Sequence, residues 1–585
     1  MAKLSVNKAL LRAGSHSKKG EIEEAQKLYQ AVLQAFPNNK RAQQGLAALN
    51  KPKQPNLTQS PPPDTINQLI NLYDQGQLAV VVEHANKLAI KYPNSVAIWN
   101  ILGAAAARIK QMDKALSAFQ RVIAIQPNNA EVYNNIGNVL RDQGKVEKAM
   151  ASYQKALSLR PDYPEACYNV GIILQDQGKL EEAIASYQKA LSLKPNYPDA
   201  HSNMGNILQD QGKREEALAC YQKTLSLKPD HADAYNNMSV TLRDQGKVEE
   251  AILACNKAIA IRPNYAEAHQ NLSFLFLNNG RLKEGLDEFE WRWKTANRIS
   301  SDRHFSMPRW DGKESLKEKT IFVWSEMGPG DVVMWLSALK YLIPMAKHCI
   351  IECPIKLLSL LKRSFPQVEV RTNNENDRIE HEDFDFHLPA GSLFKHFFPF
   401  ISSRRSTDAF LFPDPERVKY WKKRLATLGD GPFIGISWKS PLITSVRLQN
   451  YTKMNDWSPL FSIPNITFIN LQCKDFKTDI SQAKSNYGVD IHNFDELDHY
   501  DDLDDVAALS LALDMCVSVS TAVSTITAAV GTPTKMLHWK QSSWNNILFT
   551  PPGPEVDVFE RNTWEDWSKP FNEIAKDIQS LPPKR

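Results

Sequence analysis

Residues 130–163 read AEVYNNIGNVLRDQGKVEKAMASYQKALSLRPDY, and residues 164–197 read PEACYNVGIILQDQGKLEEAIASYQKALSLKPNY. The second stretch is a variant of the first, 34 positions further on. The register extends outward from this pair in both directions. Pro93, Pro127, Pro161, Pro195, Pro229 and Pro263 keep it, as do Gly76, Gly144, Gly178, Gly212, Gly246 and Gly280, with Lys110 in the one gap. Five residues after most of these glycines stand Ala115, Ala149, Ala183, Ala217 and Ala251, and four further on Phe119, Tyr153, Tyr187 and Tyr221. Each position has a mechanical reason. The glycine ends a first helix in a left-handed conformation that costs it no Cβ clash. The alanine lets a second helix come close, the aromatic fills the space between neighbours, and the proline stops the second helix. One such unit cannot bury its apolar face alone, so the units must stack.

The pattern resembles the tetratricopeptide repeat. Units are expected at 62–95, 96–129, 130–163, 164–197, 198–231 and 232–265, with a divergent one from 266, giving an α-solenoid over 62–299. A detached unit is expected within residues 1–50, near 6–39, where Gly20, Ala25, Tyr29 and Pro37 hold the same relative places. The proline-rich, polar stretch 51–65 between them reads as a linker.

Asn135, Asn169, Asn203, Asn237 and Asn271 also recur with the period, on the first helix of each unit, where it lines the concave groove. A carboxamide donates to a carbonyl and accepts from an N–H, so a ladder of them suits an extended peptide main chain. A similar ladder occurs in the solenoid of eukaryotic O-GlcNAc transferases. Asparagine is also common at this place in such repeats for packing reasons alone.

Composition excludes several classes. The formal net charge of the 585-residue chain is +4, with acidic and basic residues interleaved, so no basic stripe marks a nucleic-acid partner. Seven cysteines without a CxxC pair fit free thiols in a reducing cytoplasm rather than a zinc site. The most apolar window, Ala507 to Val530, is broken by Asp514 and reads as helix, strand, helix rather than a membrane span.

Beyond the repeats the period changes. Short β-rich runs at 320–325, 348–353, 367–371, 383–388, 433–438, 466–472, 488–492, 515–519 and 534–538 alternate with helical stretches, and a helical stretch at 414–427 splits them into two groups. Such alternation implies parallel sheets with crossover helices, hence an α/β domain of two Rossmann-like halves, 305–428 and 429–585, the second ending in a helix. A series of segments in order carries a further resemblance: E-W-R-W at 290–293; P-x-W-x-G at Pro308, Trp310 and Gly312; Glu326-x-Gly328-x-Gly330-Asp331 after a strand; FDFHLPAGSL at 384–393; GISWKS at 435–440; NLQ at 470–472; DDLDDVAALSLALD at 501–514; and STAVSTITAAVGTP at 520–533. Together they resemble bacterial tetratricopeptide-repeat proteins with a heptosyltransferase-like GT-B glycosyltransferase domain.

The resemblance implies site residues. The glycine turn at Gly328 and Gly330 precedes Asp331, which matches the carboxylate that takes the acceptor proton in heptosyltransferases; the alternative is a helix cap. Donor contacts are implied for Gly328, Gly330, Lys439, Gln472, Ser520, Thr521 and Ala522, with the helix N-terminus after Thr521 aimed at a diphosphate. Related enzymes begin this turn with Asp-Thr and carry a His five residues after the Asp; here those positions are Ser520 and Thr525. Asp383-Phe384-Asp385 reads as a strand edge rather than a metal motif, and Asp501, Asp502 and Asp505 as caps of the following helix. The implied activity is metal-independent transfer of a sugar from a nucleotide sugar, as co-substrate and without a cofactor, to a protein or glycan held by the repeats. The alternative is a non-catalytic repeat scaffold with a degenerate GT-B domain.

Overall fold

The structure is a computed structural model and describes residues 5–49, 60–295, 303, 305–372, 383–403, 409–441, 448, 450–539, 556–562 and 565–580. Residues 51–59, the first part of the expected linker, lie outside these. Two compact units form, Met1–Ile207 and Leu208–Arg585. The division falls within the helix Pro198–Asp210, so the later repeats belong to the unit that carries the α/β region.

The repeat positions take the geometry their chemistry requires. Gly76, Gly144, Gly178, Gly212, Gly246 and Gly280 all have φ between 73° and 76°. Lys110, filling the same place, is forced to φ 61°. A side chain there clashes with its own backbone, so Lys110→Gly should raise stability by about 1 kcal/mol. A higher urea midpoint at unchanged slope would establish this. Ala115, Ala149 and Ala183 are fully buried, as are Phe119, Tyr153 and Tyr187. A Cβ at Gly103 or Gly171 would fall 2.5 Å from the Phe119 or Tyr187 ring, so these small residues make room for the aromatics. Ring nitrogens at one further repeat position, in Trp99, His201 and His269, bond the carbonyls of Pro93, Pro195 and Pro263, which ties the turn between units to the following helix. The N-terminal segment forms the helix pair Val6–Lys19 and Ile22–Ala35, followed by a third helix, Lys40–Leu49.

The last repeat, Ala266–Asn278 and Leu282–Phe289, runs into a 3-10 turn, Glu290–Lys294. Two parallel sheets follow. The first contains β1 (Thr320–Trp324), β2 (His348–Cys353), β3 (Glu369–Thr372) and β4 (Phe386–Pro389), in the order β3-β2-β1-β4. The second contains β5 (Phe433–Ser437), β6 (Thr467–Asn470), β7 (Ile491–His492), β8 (Met515–Val519), β9 (Thr534–Trp539) and β10 (Val556–Arg561), in the order β10-β9-β8-β5-β6-β7. The helix Pro415–Ala426 separates the two groups. The apolar window resolves into the helix Leu503–Ala512, strand β8 and the helix Ala522–Ala529. Among the described residues no helix is long and apolar enough to cross a membrane.

Strand β10 has no counterpart in the sequence reading. It is an exposed edge strand, so its residues lack the apolar run that marks the buried strands. The capping expectation for the acidic cluster holds only for Asp502, which accepts from the Asp505 N–H at 2.9 Å. Asp505 is instead buried, bidentate to Arg417 and bonded to the Trp421 indole N–H at 2.7 Å. Asp501 pairs with Lys356 at 2.7 Å. Asp385 receives the Thr320 N–H and the Lys319 ammonium, each at 2.8 Å, and Asp383 pairs with Arg371, so both acids tie strand edges together.

Candidate functional site

Strand order locates the crevices. In an open parallel sheet a ligand enters beyond the carboxyl ends of the strands, where the order reverses. In the second sheet the chain steps from β5 out to β7, then returns to the other side of β5 as β8. Beyond these adjacent strand ends stand Trp438-Lys439-Ser440 and Ser520-Thr521-Ala522. Ser437 and Ser518 are register partners just before them. The sequence-derived donor residues therefore converge on one crevice, apart from Gln472, which follows the next strand, β6, and the glycines, which belong to the first sheet.

Local bonds shape this crevice. Ser524 Oγ accepts the Thr521 N–H at 3.1 Å and donates to the Thr521 carbonyl at 2.8 Å, which sets the start of the helix Ala522–Ala529. Gln472 is buried, and its Oε1 accepts the N–H groups of Trp438 at 3.2 Å and Lys439 at 3.0 Å. It shapes the loop rather than presenting its oxygen to the crevice. Lys439 Nζ lies 2.7 Å from Asp479 Oδ2, an oxygen that also accepts the Trp438 indole N–H at 2.8 Å.

Asp331 is the third residue of the helix Pro329–Leu336, whose N-cap is Gly328 without a side-chain cap. It is half-buried, and a Cβ on Gly328 would sit 3.5 Å from its Oδ2. Gly330 shows why this turn is glycine-rich. A Cβ there would stand 2.8 Å from Ala522 Cα and 3.3 Å from Ala522 N. Only glycine lets the helix start that carries Asp331 touch the helix start of the second-sheet crevice. The two helix starts are thus direct neighbours.

The first sheet reverses between β1 and β4, and its crevice is filled by the chain itself. Arg292, from the turn that closes the repeats, is 1% exposed. Its Nε and Nη2 reach Glu326 at 2.9 and 2.8 Å, its Nη1 reaches Glu290 at 2.9 Å, and Nη2 also reaches Ser392 Oγ at 3.1 Å. Glu326 accepts the Gly391 N–H at 2.7 Å, and a Cβ at Gly391 would overlap that carboxylate. Burial works to raise the Glu290 carboxyl, but the Arg292 guanidinium and the Ser392 hydroxyl outweigh it and hold the group below its ordinary range. Sequence reading placed E-W-R-W, the Glu326 turn and the Gly391-Ser392 turn in order but did not join them. The cue was a charged residue, Arg292, between the two tryptophans Trp291 and Trp293.

Beside this network, buried His387 accepts the Trp324 indole N–H on Nδ1 at 3.2 Å. Burial, with Arg309 nearby, pushes its pKa down to about 4. The unfolded chain takes up that proton near pH 6.5 and the folded chain only near 4, so stability falls as pH drops through this window. The loss attributable to this group is about 3 kcal/mol. Chemical denaturation at pH 7 and pH 4 checks it: His387→Gln should remove that share of the difference, and an unaltered pH profile would contradict it.

Comparison with known proteins identifies the helical region. Family models described as tetratricopeptide repeat match residues 8–39, 67–130, 118–151 and 203–266, and one described as TPR repeat matches 137–178 and 173–212. The repeats are tetratricopeptide repeats. A curated relative, protein FlbA of Caulobacter vibrioides, is 32% identical over 316 residues, 51% of this chain and 52% of its own length. The chain thus spans about half the length of the curated relative it matches. Among solved structures, MamA is 27% identical with a TM-score of 0.26, covering 29% of this chain and 94% of MamA. YrrB, described as a TPR protein with an unusual peptide-binding site, is 24% identical with a TM-score of 0.27 and coverages of 32% and 96%. A thermophilic TPR protein of Thermus thermophilus is 20% identical with a TM-score of 0.28 and coverages of 31% and 97%.

Within the tetratricopeptide region the asparagines bond one another's repeats. Asn169 Nδ2 donates to Asn134 Oδ1 at 2.9 Å, Asn203 Nδ2 to the Tyr168 hydroxyl at 3.1 Å, and Asn271 Nδ2 to Asn236 Oδ1 at 2.9 Å. Asn237 Oδ1 accepts from Asn236 at 3.2 Å, and Asn135 is half-buried on the same helix face. The carboxamides of Asn169, Asn203 and Asn271 therefore join successive tetratricopeptide units. Asn169→Ala would strip the donor from buried Asn134 and should cost about 1–3 kcal/mol. A thermal melt that matches wild type would contradict that role.

Proposed function

We propose that the chain is a glycosyltransferase-like protein with a GT-B arrangement, whose second sheet binds a nucleotide sugar and whose tetratricopeptide repeats hold a protein or glycan acceptor. Tetratricopeptide repeats bind peptides or proteins, which supports the acceptor role. The observation that carries the transfer reading is the contact of Gly330 with Ala522. It sets a carboxylate, Asp331, beside the crevice between β5 and β8, where a helix N-terminus suits a diphosphate. Asp331 would take the proton of the acceptor hydroxyl as that oxygen attacks the anomeric carbon. The Ala522 N–H at the helix start, with Lys439 released from Asp479, would stabilise charge gathering on the departing diphosphate. Gly328 gives the turn its shape. Asn135, Asn169, Asn203, Asn237 and Asn271 would offer their remaining bonding capacity to an extended acceptor.

The second reading, a scaffold without transfer chemistry, draws support from the Lys439–Asp479 pair and from Ser520 and Thr525, which stand where related enzymes carry Asp and His. A thermal-shift titration with UDP, GDP, ADP and their sugar conjugates separates the two. A diphosphate at about 100 times its Kd adds about 2.7 kcal/mol to the folded state. An unmoved melting temperature with all of them favours the scaffold.

A further inference from the structure

We propose that Arg292 is a positioning residue through which the end of the repeat array sets the turn that carries Asp331. This rests on the reading of Asp331 given above. The first-sheet crevice, where a parallel sheet would ordinarily admit a ligand, holds the Arg292 guanidinium instead. Its two bonds to Glu326 fix a side chain five residues before Asp331, on the segment that leaves β1. Glu326 Oε1, which takes Arg292 Nη2, also accepts the Gly391 N–H, and Ser392 bonds both Arg292 and Glu290. Arg292 itself is anchored to the repeat side by the Phe289 carbonyl at 3.1 Å and by Glu290 at 2.9 Å. Arg292 Nε and Nη2, the Glu326 carboxylate, the Glu290 carboxylate and the Ser392 hydroxyl are each bonded across the two elements. A shift of the last repeat therefore moves the Glu326–Asp331 turn rather than slipping past it. The repeats thus act on the α/β region as well as holding a partner, and Arg292 is the joint.

The test uses the full chain with Arg292→Lys, which keeps charge but loses the fork geometry, and Glu290→Gln, which loosens the repeat-side anchor. Hydrogen exchange of residues 325–331 should speed up by about ten-fold or more in Arg292→Lys, with residues 433–437 and 515–529 unchanged. Unchanged exchange at 325–331, or equal acceleration everywhere, overturns the proposal. Where a sugar conjugate of UDP, GDP or ADP is turned over, Arg292→Lys should lower kcat by about 100-fold with donor KM within about two-fold, because the displaced group is the base and not the donor crevice. Parallel losses in kcat and donor affinity overturn it too. Glu290→Gln should give a smaller change of the same kind, and a larger one would contradict the assigned order of contacts. Exchange reads the coupling without any substrate, so a wild type that transfers no sugar counts against the glycosyl-transfer reading and not against the joint.

Discussion

Asp331→Asn is expected to lower sugar transfer by about two to four orders of magnitude while leaving donor affinity within about two-fold. The substitution keeps the size and the hydrogen-bonding oxygen of the side chain and removes its basicity. Asp331 lies in the first turn of Pro329–Leu336, where the N-cap is Gly328, so no cap is lost with the carboxylate. The favourable interaction of a negative charge with the helix N-terminus is forfeited, about 0.3–1 kcal/mol, too little to unfold the chain. A fold-neutral variant with collapsed turnover marks the group as the base. Full activity in Asp331→Asn would reduce the carboxylate to a partner of the helix dipole. The measurement is turnover of whichever nucleotide sugar raises the melting temperature, with and without EDTA. Transfer is expected to be unchanged by the chelator.

The other large effect is on stability. Arg292→Met should destabilise the unit Leu208–Arg585 by about 3–5 kcal/mol, because the buried Glu326 carboxylate and the half-buried Glu290 would lose the cation they share. Combining it with Glu326→Gln should recover part of that loss. The pH dependence follows from Glu290, whose folded pKa lies below its unfolded value near 4.5. Its stabilising share is fully present above that value and is lost as the pH falls through the folded pKa, so the difference between wild type and Arg292→Met should narrow in acid. A loss under about 1 kcal/mol at pH 7 would show that the pair is replaceable.

The repeats were legible because each consensus position answers a local demand. A glycine at φ near 75° or a buried alanine under an aromatic can be read from spacing alone. Strands β2 and β8 were legible to the residue because each centres on a short apolar, β-branched stretch, 349–351 and 515–517. Strand β10 was not, since an exposed edge strand carries no such run. The candidate site was legible as a set of segments but not as contacts. Lys439 and Asp479 are 40 positions apart, and Arg292 and Glu326 34 apart, so their pairing depends on the fold and leaves no periodic trace. Gly330 reads from the sequence as a donor-side turn residue, whereas the close approach it permits is to Ala522. Asp505 looked like a helix cap because it stands among other acids at a helix start, and only its burial beside Arg417 and Trp421 shows the ion pair.

The most direct measurement is hydrogen exchange of the full chain with and without millimolar UDP, GDP or ADP, read peptide by peptide. The nucleotide-sugar reading predicts that one of them slows exchange at residues 437–440 and 520–525 and leaves the filled first-sheet crevice, at 325–328 and 390–392, unaltered. Protection at the first-sheet crevice instead, or none in the α/β region with any of the three, would contradict it.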